Sequence, residues 1–561
     1  MLKEFLAQST STNGQARHYA CNNTLELSNL IPPTVSYESQ GALLIIINEH
    51  DATEQSLSSL QQQFSSMASV TFAVPLGAKI NSVISPYFFS LAQLSGYLGR
   101  FSFHILQSSS ISKVELAPVA IGQPHFDVVL DLSAEALIDN EVPPVGYFPV
   151  GRGYPKLDDA IEEIKALIGT FDKPKFFRLD TDKCAHSSRG VKGCERCILS
   201  CPAGALSSEG RDETGYKIEI NPYLCQGVGT CATSCPTGAI EYALPYPKDT
   251  QGFIERTLHN YQTQGGRDPI VLFCSDEHET YNVMALRALP DNVIPIVVNE
   301  LPSVGIDTWF AALSNGASQV LFAASRRMPA TIIRVLNEEV SIAKTLLRQL
   351  GIHAQSIDIL YLEDLRTSKP TLIETPLNVK VGEVQGDKRA RLFQSLDALA
   401  QTFTPLQMQA GLPQGAPYGT VACDTDKCTL CMACVAVCPT MALHNEGQLP
   451  MLSFIEQDCV QCGLCEGACP EDALNLTPRI NWDQPLRTTA ITLNKDEPAL
   501  CLRCQKPFAP KSMITMLQGK LKGHSHFSND QAIRRIAMCE DCRVADIYDE
   551  MAKDPTKQLK Y

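Results

Sequence analysis

The chain has 561 residues, of which 44% are hydrophobic, and a formal net charge of −14. Such a length implies about three to five domains with ordinary globular cores. The acidic balance excludes nucleic acid as a partner, and no apolar run reaches the roughly 18 residues that a membrane span needs.

Residues 1–40 are rich in Ser, Asn and Gln and weakly patterned, and are expected to form a loose N-terminal arm. Met1-Leu2-Lys3-Glu4-Phe5 lacks a signal-peptide h-region, which points to the cytoplasm. Residues 41–175 read as an α/β domain, with buried strands at 43–47, 70–74 and 126–130. A helix is expected at 157–168, where Leu157, Ile161, Ile164, Leu167 and Ile168 recur at helical spacing. No chemistry is visible in this domain, and Asp127 and Asp131 read as strand-end residues facing solvent.

Of the 22 cysteines, 21 lie beyond residue 180 and nineteen fall into three constellations. In a compartment that keeps thiols reduced, this is metal usage rather than disulfide usage. The first constellation lies at 180–245. It contains Cys194-x2-Cys197-x3-Cys201-Pro202 and Cys225-x5-Cys231-x3-Cys235-Pro236, with Cys184 ten residues ahead of Cys194. Between the runs, 211–215 reads as a hairpin turn. Gly227, Val228, Gly229 and Ala232 have the outline of a dinucleotide turn, but they sit inside a cysteine run with no strand before them, and the match is discarded.

Residues 268–366 alternate strands, at 270–273, 294–298, 320–323 and 357–362, with an amphipathic helix at 329–351 that opens near a proline and stops at Gly351. Such alternation argues for a parallel sheet with crossover helices. Residues 367–420 are richer in Pro, Gly and Gln and read as a linker broken by one helix at 388–402. Cys21, Cys274 and Cys423 are isolated and receive no role.

Residues 421–480 hold Cys428-x2-Cys431-x2-Cys434-x3-Cys438-Pro439 and Cys459-x2-Cys462-x2-Cys465-x3-Cys469-Pro470. This is the ligand spacing of a two-cluster bacterial ferredoxin, in which three cysteines of a run hold one cubane and the fourth reaches the other. Cys428, Cys431, Cys434 and Cys469 are therefore expected to hold one [4Fe–4S] cluster, and Cys459, Cys462, Cys465 and Cys438 a second. The proline after each fourth cysteine suits the start of a short helix, and 451–455 reads as a strand covering the clusters. Zinc prefers isolated CxxC pairs and fits these runs poorly.

Set beside this intact copy, the upstream runs are an internal repeat with two defects. Val191 stands at the first cysteine position of one run and Val228 at the second position of the other. The loop from Cys184 is long enough to fold back, so Cys184, Cys194, Cys197 and Cys235 are expected to hold a third [4Fe–4S] cluster. Cys201, Cys225 and Cys231 supply only three thiolates. These suit a [3Fe–4S] cluster or a [4Fe–4S] cluster with one labile iron, and the three-iron form is favoured.

The tail, 495–561, closes with Cys501-x2-Cys504 and Cys539-x2-Cys542, which reads as a four-cysteine structural zinc site. A rubredoxin-like single iron is the alternative. A helix is expected at 511–521, and His524 and His526 read as surface residues. The whole is a multidomain α/β plus α+β chain. It has two bacterial-ferredoxin-like dicluster modules, two α/β domains with mainly parallel sheets, and a small C-terminal four-cysteine metal-binding tail.

The stretch Cys184-Ala185-His186-Ser187, followed by Gly193-Cys194-Glu195-Arg196-Cys197 and Cys201-Pro202-Ala203-Gly204-Ala205, resembles bacterial polyferredoxins encoded with formate dehydrogenases. The resemblance implies that Cys184 belongs to the site and that a cysteine is usual where this chain has Val228. Residues 268–366 are similar to the delta subunit of methyl-viologen-reducing hydrogenase, which carries a [2Fe–2S] cluster. Only Cys274 remains of its cysteines here, which implies a docking domain that kept the fold and lost the cluster. The function expected is relay of single electrons between a redox enzyme, with formate dehydrogenase as the partner, and an acceptor, without independent catalysis. The alternatives are a redox or iron sensor, a maturation factor for a molybdenum enzyme, and a cluster-bearing subunit of a flavin oxidoreductase.

Overall fold

The computed structural model describes all residues except 26–32, 79–82, 107–112, 154, 188, 190, 212, 277–278, 374, 446–448, 523, 525–526, 528–529 and 554–561. His526 therefore lies outside the described residues.

The apolar run at 42–46 becomes the central strand, Ala42–Ile46, of a five-stranded parallel sheet. The order is Tyr87–Phe89, Ser69–Pro75, Ala42–Ile46, Val128–Asp131, Tyr147–Phe148. A central parallel strand is covered on both faces, which is why it reads as continuous hydrophobic sequence. The helices Glu54–Gln63 and Leu157–Ala166 pack on one face. A three-stranded antiparallel sheet, Leu91–Ser95, Ser102–Leu106 and Val114–Glu115, covers the other. Asp127 and Asp131 are buried rather than solvent-facing. Asp127 accepts the backbone N–H groups of Gln40 (2.8 Å) and Ala42 (2.9 Å), and Asp131 accepts from Tyr147 Oη (2.6 Å) and Leu137 N (3.0 Å). Each carboxylate satisfies donors that the strand ends leave unpaired.

The second parallel sheet has four strands in the order Val293–Val298, Ile270–Ser275, Gln319–Ala324, Ile357–Tyr361. The helix Ala330–Gln349 buries Ile332, Val335, Leu336, Val340, Ala343, Leu346 and Leu347, a stripe at the three-and-four spacing that packs on the sheet.

The expected loose arm is ordered, and the helix expected within the linker forms. Within 1–40 the structure has the helices Leu2–Leu6 and Thr12–Asn23 and the strand Thr34–Ser39, which pairs antiparallel with Gly169–Pro174. Ser11 caps the second helix by accepting from Gly14 N (3.0 Å), and Arg17 is buried against Asp291 (2.9 Å). The segment is held by polar side chains with specific partners and by small Ala16 and Ala20, so its hydrophobic pattern is faint. The expected linker 367–420 carries the helix Lys388–Thr402, whose Lys388, Arg389 and Arg391 are buried. Arg391 pairs with buried Asp307 at 3.0 Å, and removing one partner of such a pair costs about 3–5 kcal/mol.

Both dicluster modules repeat one plan. A pair of outer strands is antiparallel, Phe177–Leu179 with Ile240–Tyr242 upstream and Gly419–Cys423 with Leu474–Asn481 downstream. Inside each is a hairpin, Leu206–Arg211 with Gly215–Ile220, and Leu443–His444 with Met451–Phe454. The prolines following Cys201, Cys235, Cys438 and Cys469 do not open helices. They follow short helices such as Thr230–Ser234 and Ala433–Val437, whose C-caps are Cys235 and Cys438. Proline lacks the N–H to continue the ladder, so here it stops a turn of helix and leaves the cysteine at its end.

Candidate metal centres

Downstream, two cavities lie side by side. Cys428, Cys431, Cys434 and Cys469 line the first, and Cys438, Cys459, Cys462 and Cys465 the second. Each set takes three thiols from one run and one from the other. The loops reach this shape through left-handed residues on either side of the second cysteine, Leu430 (φ 55°) and Met432 (φ 62°) in one run, Gln461 (φ 52°) and Gly463 (φ 82°) in the other. These turns point successive thiols inward at the cost of mild strain in three non-glycine residues. Backbone N–H groups aim at the fourth sulfurs, Leu443 N at Cys438 Sγ (3.4 Å) and Ala473 N at Cys469 Sγ (3.3 Å). Cys423, given no role from sequence, lies beside Cys428, and its thiol is pushed up to about 12 by burial and by that neighbour.

Upstream, burial raises the pKa of Cys197, and Cys235, Cys194 and Cys184, all within charge range, raise it further. Cys184 is 7% exposed, whereas Val191 is 40% exposed. The thiol seven residues before Val191, not the residue at the aligned position, is the one turned into the core. A second group comprises Cys201, Cys225 and Cys231: Cys231 is enclosed and lies in charge range of the other two. Ala205 N donates to Cys201 Sγ at 3.3 Å, the same contact that Cys438 and Cys469 receive.

Val228 keeps the loop geometry of a complete run. Its neighbours Gly227 (φ 78°) and Gly229 (φ 94°) are left-handed, as 430 and 432 or 461 and 463 are around Cys431 and Cys462. The chain packs tightly here: a Cβ on Gly229 would come within 2.5 Å of Ser303 N. Val228 is 9% exposed and packs into the core of the second α/β domain. Lys173, from the first α/β domain, donates to the carbonyls of Cys225 (2.8 Å) and Tyr223 (3.0 Å). The three-thiol group thus lies against residues of both α/β domains. Cys274 is buried in mid-strand, and its thiol is pushed up to about 12 by burial alone.

At the C-terminus, Cys501, Cys504, Cys539 and Cys542 place their sulfurs within 4.8 Å of one another, with Cys504 Sγ and Cys539 Sγ 3.7 Å apart. Four thiolates at about 2.3 Å from one tetrahedral ion lie about 3.8 Å apart, so this group fits a single metal ion. A turn after the strand Pro498–Leu500 carries one CxxC; the other sits at the start of the helix Glu540–Lys553, where the dipole favours anions. Burial opposes ionisation of Cys501, but backbone N–H groups of Cys504, Cys539 and Arg503 outweigh it and its pKa falls to about 6. Among the described residues, the buried core beside it is only Cys501, Met538 and Cys539. Metal removal is therefore expected to unfold the tail. Titrating the purified chain with a strong chelator, followed by circular dichroism and limited proteolysis, checks this; a tail that stays protease-resistant after losing its metal would contradict it.

Among the described residues, no helix is long and apolar enough to cross a membrane. Two stretches match family models described as 4Fe-4S dicluster domain, at residues 192–239 and 427–474. The chain is similar to pyruvate synthase subunit PorD of Thermotoga maritima, 40% identical over 57 residues, which is 10% of this chain and 57% of that one. PorD of Methanothermobacter marburgensis is 38% identical over 63 residues, 11% of this chain and 59% of the relative. Ferredoxin-type protein NapH of Escherichia coli is 34% identical over 79 residues, 12% of this chain and 28% of NapH. The matches span less than two thirds of each relative. The thiol groups and the family matches lead to the same conclusion: the chain carries two 4Fe-4S dicluster ferredoxin domains.

Proposed function

We propose that this protein relays single electrons between a redox enzyme and an acceptor through four iron–sulfur sites. The observation that carries the reading is the pair of adjacent cavities, each lined by three thiols of one run and one of the other. The ligand sets are Cys428, Cys431, Cys434 and Cys469; Cys438, Cys459, Cys462 and Cys465; and Cys184, Cys194, Cys197 and Cys235, each for a [4Fe–4S] cluster. Cys201, Cys225 and Cys231 hold a [3Fe–4S] cluster, and Cys501, Cys504, Cys539 and Cys542 a structural zinc. When bound, each cluster takes up and releases one electron. The chain's own residues ligate, enclose the sulfurs in apolar side chains and aim N–H donors at them, all of which act on reduction potential.

The partner proposed is formate dehydrogenase, in the cytoplasm, on the strength of the Cys184–Cys201 motif. The two α/β domains serve as docking scaffolds, the second having lost its own cluster. Anaerobic purification should yield about fifteen irons per chain, with an oxidised-state EPR signal from the three-iron centre. Formate dehydrogenase should then reduce the protein, more slowly as salt rises, because the acidic chain would meet a basic docking face. A protein with no reducible iron would end the relay reading; one that dithionite reduces but formate dehydrogenase does not would end only the choice of partner.

A further inference from the structure

The helix Lys388–Thr402 begins where the two dicluster modules meet. Lys388 and Arg389, adjacent in sequence and each 9% exposed, face opposite modules. Lys388 Nζ donates to the carbonyls of Ala232 (2.8 Å), Thr233 (2.7 Å) and Cys235 (2.9 Å). Arg389 donates to the carbonyls of Cys459 (2.7 Å), Pro417 (2.9 Å) and Gln457, and its guanidinium lies over the rings of Tyr418 and Phe393. Thus each cation is fixed to the backbone of one cysteine, Cys235 in the upstream four-thiol group and Cys459 in the downstream one. A third cation joins them: Arg189, from the upstream module, donates to Cys438 O at 3.1 Å.

These two thiol groups are the ones that face each other across the junction. A Cβ on Gly193, beside Cys194, would come within 3.0 Å of Leu464, beside Cys465. Cys462 lies within charge range of Cys194. The groups at Cys428–Cys469 and at Cys201–Cys231 lie on the outer sides; the upstream one has a cation of its own, Lys173, on Cys225 O (2.8 Å). Outside, the Cys428 cavity is lined by Glu471, which pairs with Lys520 at 3.8 Å. Several of the counter-charges at the junction are taken by other cations, Glu241 among them, 3.9 Å from Arg391. Glu339 pairs with Arg196 (3.1 Å), and Asp307 is taken by Arg391. Asp458 and Asp387 lie near Arg389.

We propose that Lys388 and Arg389 form one electrostatic device shared by the two modules. It holds the inner thiol groups in register across the junction and favours the extra negative charge that those sites accept on reduction. Net charge near a cluster is one of the levers on its potential, and burial keeps both cations from being screened. The inner sites then lie higher in potential than the outer site of the downstream module, so an electron entering from that side settles at the junction. This rests on the relay reading.

The test is an EPR-monitored redox titration of the full chain, with Cys431→Ser marking the outer downstream centre. In Lys388→Gln and Arg389→Gln, the reduced-to-oxidised ratio of the corresponding inner centre at fixed potential should fall about tenfold, about 59 mV for one electron. The outer centre should not move, and Lys388→Arg and Arg389→Lys should keep the inner potentials. Unchanged inner potentials, or an equal shift of all centres, would overturn the proposal while leaving the relay intact. Should the glutamine variants lose their iron, the unsubstituted chain decides: an inner downstream centre titrating at or below the outer one overturns it. Centres that take up no electrons would instead defeat the relay itself.

Discussion

Val228→Cys is expected to convert the three-thiol group into a four-thiol one. Iron content should rise by about one per chain, and the oxidised-state three-iron EPR signal should disappear. The backbone is already in place, because Gly227 and Gly229 hold the left-handed turns that flank Cys431 and Cys462 in the complete runs. Only the side chain is missing. The exchange removes part of an apolar contact with the second α/β domain, which should cost about 1 kcal/mol, in the range of a buried large-to-small change. Val228→Ala, with the same loss of contact and no thiol, should keep the three-iron signal. A folded Val228→Cys protein with unchanged iron and unchanged signal would sink the idea that this site lacks only a ligand.

Cys184→Ala should have the larger effect on the fold. The upstream module has a small core, in which Cys184, Cys197, Cys231 and Cys235 pack with Leu206, Ile218, Ile240 and Tyr242. With thiols as so much of the interior, ligand binding free energy becomes folding free energy. Removing Cys184 should release about four irons per chain and expose the amides of the Leu206–Arg211 hairpin to hydrogen exchange. The downstream module should keep its iron. Val191→Cys should not rescue this variant, because residue 191 is turned to solvent. Rescue at 191, or full iron without Cys184, would show that the earlier thiol is not the fourth ligand.

Much of the architecture was legible because it depends on local pattern. The strands at 42–46, 270–275 and 319–324 are continuous apolar runs, as doubly covered parallel strands must be. The helix Ala330–Gln349 shows its buried stripe at helical spacing. What escaped was polar. The order of residues 12–23, and the anchoring of the expected helix at 388–402, depend on Arg17, Lys388, Arg389 and Arg391, whose charged side chains read as solvent-exposed until their partners are seen. Asp127 and Asp131 were misread for the same reason. The antiparallel sheet at 91–115 was missed because its strands are short and only alternate residues are buried.

By itself, the sequence determined the chemistry. Cysteine spacing is a one-dimensional property, and the number of residues between thiols limits which can share a cluster. It located both runs of each module, the substitution at Val228 and the paired CxxC knuckles at the C-terminus. Tertiary structure alone decided how the parts are joined. It turned Cys184 inward and Val191 outward, and set Val228 in the core of a domain some seventy residues further along the chain. It also brought two cations of one helix onto Cys235 and Cys459. Those relations depend on long-range packing and on where buried charge finds a carbonyl, and neither is written in residue spacing.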